Sequence, residues 1–241
     1  MKNTTAKKLI LILVEGPSDK ESLEDVLSKI VENSKVKFAI FHGDITSDFK
    51  TNIKNVSKKI EEKVEEFLNN SKGLYELDDI QLIVHIVDTD ACSIDEDRII
   101  ESPDEKYLND KVYVKNKSFI VNRNVHKRNL LKYISTLNNI SFKSFGNVCK
   151  RYNAYYMSCN LEHVLHDNSN IKTDVEKEYY SMKFAFQYLN NTEEFIKFIN
   201  HKDVGTQLDF SNSWINILKN ENALKRETNL NLFVNDCVNG D

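Results

Sequence analysis

The chain has little of what bends or breaks a backbone: six glycines and two prolines in 241 residues. So few turn formers argue against a sandwich of many short strands and against a disordered chain, and favour helices. Cysteine is scarce too. Cys92, Cys149, Cys159 and Cys237 form no C-x-x-C pair, so no disulfide framework is evident and the thiols read as reduced. The longest apolar run, Leu9–Val14, is far too short to span a bilayer. Lys7, Lys8 and Glu15 frame it poorly as a signal peptide, so the expectation is a cytoplasmic protein with no membrane partner. Neither sign of charge dominates, with 33 Lys and Arg against 37 Asp and Glu. Nothing global points to nucleic acid, and a local basic strip would have to supply that contact.

What the chain does have is two strand-like runs that end in acids. Leu9-Ile10-Leu11-Ile12-Leu13-Val14 is followed by Glu15-Gly16, and Ile83-Val84-His85-Ile86-Val87 by Asp88-Thr89-Asp90. A continuous apolar run is the pattern of a strand buried in a parallel sheet, and α/β sheets place their chemistry beyond the carboxyl ends of such strands. Glu15, Asp88 and Asp90 are therefore expected at one edge. Oxygen ligands of this kind suit a hard cation such as Mg²⁺ or Mn²⁺. Asp19, four positions after Glu15, would face the same mouth from the first helical turn.

The order of elements supports that geometry. Ser18 with Glu21 reads as a capping box for a helix striped by Leu23, Val26, Leu27, Ile30 and Val31. Val36–Phe41 reads as a second strand ending at His42-Gly43-Asp44. A long helix is expected over 48–68 with Ile53, Val56 and Ile60 on its apolar face, then a third strand over 80–87. β-α-β-α-β implies a parallel sheet. Residues 93–111, acidic and containing Pro103, read as a loop or small insertion, followed by short strands near 112–114 and 118–121 and a helix over 124–138. Ala154–Met157 reads as another strand, running into a helix that starts near Glu162. From Thr173 onward the pattern is helical, with Phe184, Tyr188, Phe195 and Trp214 on apolar faces that could also serve a homodimer. The fold class expected is α/β: a Rossmann-like core over 1–150 with an insertion at about 93–118, then a strand-helix segment and helical region over 151–241.

Val14-Glu15-Gly16-Pro17-Ser18-Asp19-Lys20 together with Asp88-Thr89-Asp90 resembles the Toprim domain, which topoisomerases, primases and OLD-family nucleases share. The E-G-x-S-D form is most similar to OLD-like and stand-alone bacterial versions, and the resemblance covers about residues 8–125. It implies a Mg²⁺- or Mn²⁺-dependent site for phosphodiester chemistry, with Asp88 and Asp90 holding metal and Glu15 binding metal or moving a proton. Cys159-Asn160-Leu161-Glu162 resembles a segment that supplies a further acid in stand-alone defence proteins, which makes Glu162 a metal ligand beside Asp19. One departure is plain: the sequence contains no G-x-x-x-x-G-K-[ST], so an ATPase would have to be a separate partner. The function implied is a nuclease acting on DNA or RNA, tRNA included, as an anti-phage effector under partner control. The alternative is a non-catalytic regulatory or nucleic-acid-binding module on the same scaffold. Primase or topoisomerase work is disfavoured, because the sequence has no room for their additional domains.

Arg123, Lys127 and Arg128, in a strip with His126 and Lys132, are the expected phosphate-backbone contacts. His166 or His163 could position a phosphate, and His42 is a weaker candidate. Cys159, His163 and His166 have spacings that zinc could use, but the more economical reading is a buried thiol with two histidines near the mouth. His85, inside a strand, reads as a core histidine. Tyr179, Tyr180, Phe184 and Phe186 read as core in preference to a base-stacking platform.

Overall fold

A computed structural model describes residues 8–31 and 35–239. Its elements are β1 (Leu9–Val14), α1 (Pro17–Ile30), β2 (Lys35–Ile40), α2 (Val56–Asn70) and β3 (Ile80–Asp88). Three short strands follow, β4 (Ile99–Glu101), β5 (Lys106–Tyr107) and β6 (Val112–Val114), and then α3 (Lys117–Ile134). β7 (Asn139–Phe142), β8 (Val148–Met157) and α4 (Leu161–His166) lead into four further helices. These are α5 (Asp174–Tyr188), α6 (Thr192–Ile199), α7 (Phe210–Ile217) and α8 (Leu230–Asn239). No helix among the described residues is long and apolar enough to cross a membrane.

The fold is α/β, with a five-stranded sheet in the order β2-β1-β3-β8-β7, parallel except for β7 at one edge. β1 shows why its sequence is apolar throughout: all six residues are buried. Ile10, Ile12 and Val14 face a core shared with α1, α4, α5, α6 and α8, while Leu9, Leu11 and Leu13 face one shared with α2, α3 and α7. Successive side chains point to opposite faces, so a strand covered on both sides has no polar position to offer. Each such side chain contributes about 1.5–3 kcal/mol through burial. The chain steps from β1 outward to β2, then back across β1 to β3. Right-handed crossovers in opposite directions put α1 and α2 on opposite faces. The point where the order reverses, between β1 and β3, is the topological switch at which α/β sheets open a crevice.

Local chemistry moved several boundaries. The helix expected over 48–68 begins only at Val56, and Ile53 is exposed. Asp48 accepts from Lys50 N–H, Asn52 from Lys54 N–H, and Asn55 from Asn52 N–H. These side chains offer the backbone turns in place of a helix. The strand expected over 118–121 is the first turn of α3, capped by Asn116, whose side chain accepts from Phe119 N–H at 2.9 Å. Gly16, not Ser18, caps α1, with Gly16 N–H donating to Asp19 Oδ2 at 2.9 Å. The expected insertion contains a second, three-stranded sheet, β4-β6-β5. β7, a short alternating run with Ile140 and Phe142 buried, went unread, and the central sheet continues past residue 150 through β8.

Candidate active site

Glu15, Asp44, Asp88 and Asp90 all lie just beyond or at the carboxyl ends of β1, β2 and β3. Asp88 is the last residue of β3, and its backbone N–H donates to Glu15 Oε1 at 3.4 Å. Asp19 sits in the first turn of α1, where a carboxylate also meets the positive end of the helix. Glu162, in the first turn of α4 after the Asn160 cap, is buried and lies 3.6 Å from Lys177 Nζ on α5.

These side chains line a cleft of about 730 Å³ that holds eight carboxylates, among them Glu15, Asp19, Asp44, Asp88 and Glu162, against the single ammonium of Lys177. Burial pushes Glu15 well above the ordinary glutamate value, and the Asp44 charge adds to it. Burial does the same to Asp88, helped by Glu15. Asp19 is raised to about 6 by burial and then by Glu162, against the lowering effect of the Gly16 hydrogen bond. A phosphate approaching this cleft would find Lys177 alone set against the acids unless a further cation came with it.

Asp44 and Asp90 are treated differently. Lys127, fully buried on α3, donates to Asp44 Oδ2 at 2.5 Å and to Asp90 Oδ2 at 2.7 Å. Burial alone would raise Asp44, but Lys127 and the hydroxyls of Ser47 and Thr46 hold it far below the usual aspartate range. Burial would likewise lower Lys127, yet Asp90 and Asp44 hold its ammonium well above the ordinary lysine value. Arg123 adds a second cation, with Nη1 3.7 Å from Asp90 Oδ2 and Nη2 donating to the Asp90 carbonyl at 3.2 Å.

The D-T-D turn explains the division. Thr89 N–H donates to Met157 O, Asp90 N–H to Cys159 O, and Cys159 N–H to Thr89 Oγ1, all at 2.8–2.9 Å. Thr89 is thereby buried between two strand ends, and Asp90 and Ala91 both take left-handed backbone angles, φ 48° and 52°. Asp88 opens onto the cleft while Asp90 opens onto a neighbouring cavity. The two aspartates expected to share one ion thus line different cavities, although the Asp90 charge still acts on Glu15 and Asp88.

Among the described residues no group of three or more His, Cys, Asp or Glu side chains is arranged to hold a metal ion. The donor chemistry of the cleft nevertheless suits Mg²⁺ or Mn²⁺: the donors are oxygens, the Lys127 charge only partly offsets what burial and the other acids do to Glu15 and Asp88, and Mg²⁺ commonly takes one or two carboxylates and keeps waters.

Lys127 is not on an exposed strip, and Arg123 is turned inward onto Asp90 and Asn124, so the cations expected on the surface neutralise the protein's own acids. Arg128 is half-buried on α3. His166 packs on the rings of Tyr180 and Phe184, and burial lowers it to about 4, leaving it neutral. His163 Nδ1 lies 3.2 Å from Ser158 O, and Cys159 Sγ donates to Ala223 O at 3.7 Å, so the zinc trio is not assembled. His42 borders the cleft with φ 58°. His85 is buried against the Tyr152 hydroxyl at 2.8 Å and is lowered to about 3 by burial. Of the four aromatics, Phe184 is buried while Tyr179 and Phe186 are exposed.

Sequence reasoning missed Asp44 and Lys177. Asp44 carried the same signal as the other acids, an apolar strand followed at once by a turn and a carboxylate. Lys177 carried none, because its helix reaches the cleft only through tertiary packing. Family models, curated proteins and solved structures yield no match to this chain.

Proposed function

We propose that this protein is a divalent-metal-dependent nuclease of the Toprim kind, hydrolysing phosphodiester bonds in DNA or RNA. One observation carries the reading. At the switch point of the sheet, Glu15 and Asp88 lie half-buried together with no direct ion pair among the described residues, beside a pair of acids that the chain neutralises itself. The more distant Lys127 charge is outweighed there by burial and the neighbouring acids. Glu15 and Asp88 would hold Mg²⁺ or Mn²⁺, with Asp19 and Glu162 close enough to serve the same cleft. Such an ion neutralises charge developing on the phosphoryl oxygens and lowers the pKa of an attacking water. Asp19, at about 6, can accept a proton near neutral pH. Lys177 offers a cation to a non-bridging oxygen. Asp90 acts at one remove, holding Lys127 and Arg123 in place.

By resemblance alone, the biological setting we propose is a cytoplasmic effector of anti-phage defence held in check by a partner ATPase. The test is a panel of plasmid, single-stranded DNA and total tRNA, incubated with and without Mn²⁺. Wild type should cut at least one substrate only with metal, and Asp88→Asn should not; equal residual cutting by both would end the proposal. The internal clamp of Lys127 on Asp44 and Asp90 favours a second reading, a Toprim-like scaffold that binds or regulates without catalysis. Calorimetric titration with Mn²⁺ separates the two: heat that vanishes in Glu15→Gln supports the enzyme, and no heat in wild type supports the module.

A further inference from the structure

On the far side of Asp90 lies a second cavity, of about 380 Å³, between the three-stranded sheet, α3 and the segment 167–172. Its size falls in the range of small-molecule sites. Its walls are apolar and partly aromatic, with Ile99, Val114, Ile120 and Ile171 joined by Tyr107 and Tyr113. Tyr107 is braced through its backbone, donating N–H to Asn170 Oδ1 and accepting from Asn170 Nδ2, so the wall is held in place. Lys106, Lys172, Lys177 and Arg123 also line it, outnumbering the acids Asp90 and Glu105.

Asn124 is the informative residue. It lines the cavity and is 4% exposed. Its Oδ1 accepts from Arg123 Nε at 3.2 Å and from Nη2 at 2.7 Å, which fixes the direction of the amide. Its Nδ2 has no hydrogen-bond partner in the protein. A buried amide donor left unpaired is costly and is rarely tolerated without a ligand or water to receive it.

We propose that this cavity is a nucleotide subsite. A flat heteroaromatic base fills the slot beside Tyr107 and Tyr113 and presents a ring acceptor to Asn124 Nδ2. Its phosphate lies among Lys172, Lys106 and Lys177. Lys177 borders both this cavity and the carboxylate cleft, so a phosphate held there stands next to Glu15 and Asp88. The inference rests on the nuclease reading for its place in the reaction, but not for the binding itself. The same chemistry has two sources, a free mononucleotide or one nucleotide of a bound strand with its base turned out of the stack.

The experiment is calorimetry in EDTA, so that no cleavage enters the readout. The probes are the ribo- and deoxyribonucleoside monophosphates, inorganic phosphate, and a single-stranded oligonucleotide with and without one abasic position. Two variants test the site. Asn124→Asp keeps an oxygen to accept from Arg123 but loses the donor; Lys172→Glu changes an exposed lining residue that donates to the Glu105 carbonyl, and thermal unfolding checks that the fold is kept.

Each should weaken nucleotide binding by about three- to tenfold, the factor expected for one net hydrogen bond. Tight mononucleotide binding that both variants weaken identifies the free ligand. Binding only of the oligonucleotide, weakened by the abasic position in wild type but not in the variants, identifies the strand. The proposal is overturned if phosphate alone binds as well as the nucleotides. It is equally overturned if neither probe class binds, or if both variants match wild type. Absence of nuclease activity together with intact binding would overturn the nuclease reading and leave this one standing.

Discussion

Four carboxylates crowd the carboxyl edge of the sheet, and they divide into two pairs that the chain treats in opposite ways. Asp44 and Asp90 share the buried ammonium of Lys127 as direct ion pairs, whereas Glu15 and Asp88 feel that charge only at a distance, and burial and the neighbouring acids outweigh it. Both pairs sit at strand ends, and both are half-buried. The difference is therefore one of supply. A pair completed by its own chain is structural, and a pair left to repel itself is poised for an ion from outside.

The comparison breaks most visibly at Lys127. Lys127→Met would leave Asp44 and Asp90 without their counter-ion, and urea unfolding should show a loss of about 3–5 kcal/mol, typical when one partner of a buried pair is removed. Adding Asp44→Asn and Asp90→Asn should restore much of that loss. If Lys127→Met alone is neutral, the two pairs do not differ as described.

The uncompensated pair should respond to ions. At Mn²⁺ a hundredfold above its dissociation constant, wild type should gain about 2.7 kcal/mol of stability, read as a raised Tm. Glu15→Gln should abolish that gain and, without metal, should itself be more stable than wild type by about 0.5–2 kcal/mol, as is usual where a site carries unrelieved repulsion.

The smallest effect is in pH. Asp19 lies near 6 in the folded chain against an ordinary 3.8, so the folded state binds its proton more tightly. Metal-free stability should then fall as pH rises from about 3.8 to about 6. Asp44 works the other way, its contribution present above its unfolded value and lost as pH falls below it. Asp19→Asn, which still accepts from Gly16 N–H, should flatten the fall, leaving the part due to Glu15 and Asp88. An unchanged slope would remove Asp19 from the charged cluster.

The legible parts of the molecule were those whose signal is local and continuous. β1 is buried on both faces and apolar throughout, and β3 is buried from Ile83 to Val87 with His85 as the only polar residue in that run, so the acids that follow stand out. The strip around Lys127 was misread for a physical reason: charge on a helix normally marks solvent, and only tertiary packing reveals that α3 carries its lysine into an acid-lined interior. Of the small β4-β6-β5 sheet only β6 was legible, as the short strand expected near 112–114; β4 and β5, at three and two residues, have no period to detect.

The end of β8 is secured from far along the chain. Tyr156 and its neighbours are held by Glu227, Thr228 and Asn229, 71–73 residues downstream, with Tyr156 O–H donating to Glu227, Tyr156 N–H to Asn229 Oδ1, and Thr228 O–H to the Tyr156 carbonyl. Ser158 N–H donates to Glu227 O, next to the carbonyls on which the D-T-D turn hangs. During synthesis, a chain that has emerged through α4 already contains Glu15, Asp19, Asp44, Asp88 and Glu162, yet lacks the peg that sets the turn. The strand end that carries the turn and the residues that fix it are thus 71–73 positions apart, so the site is complete only where distant parts of the sequence meet.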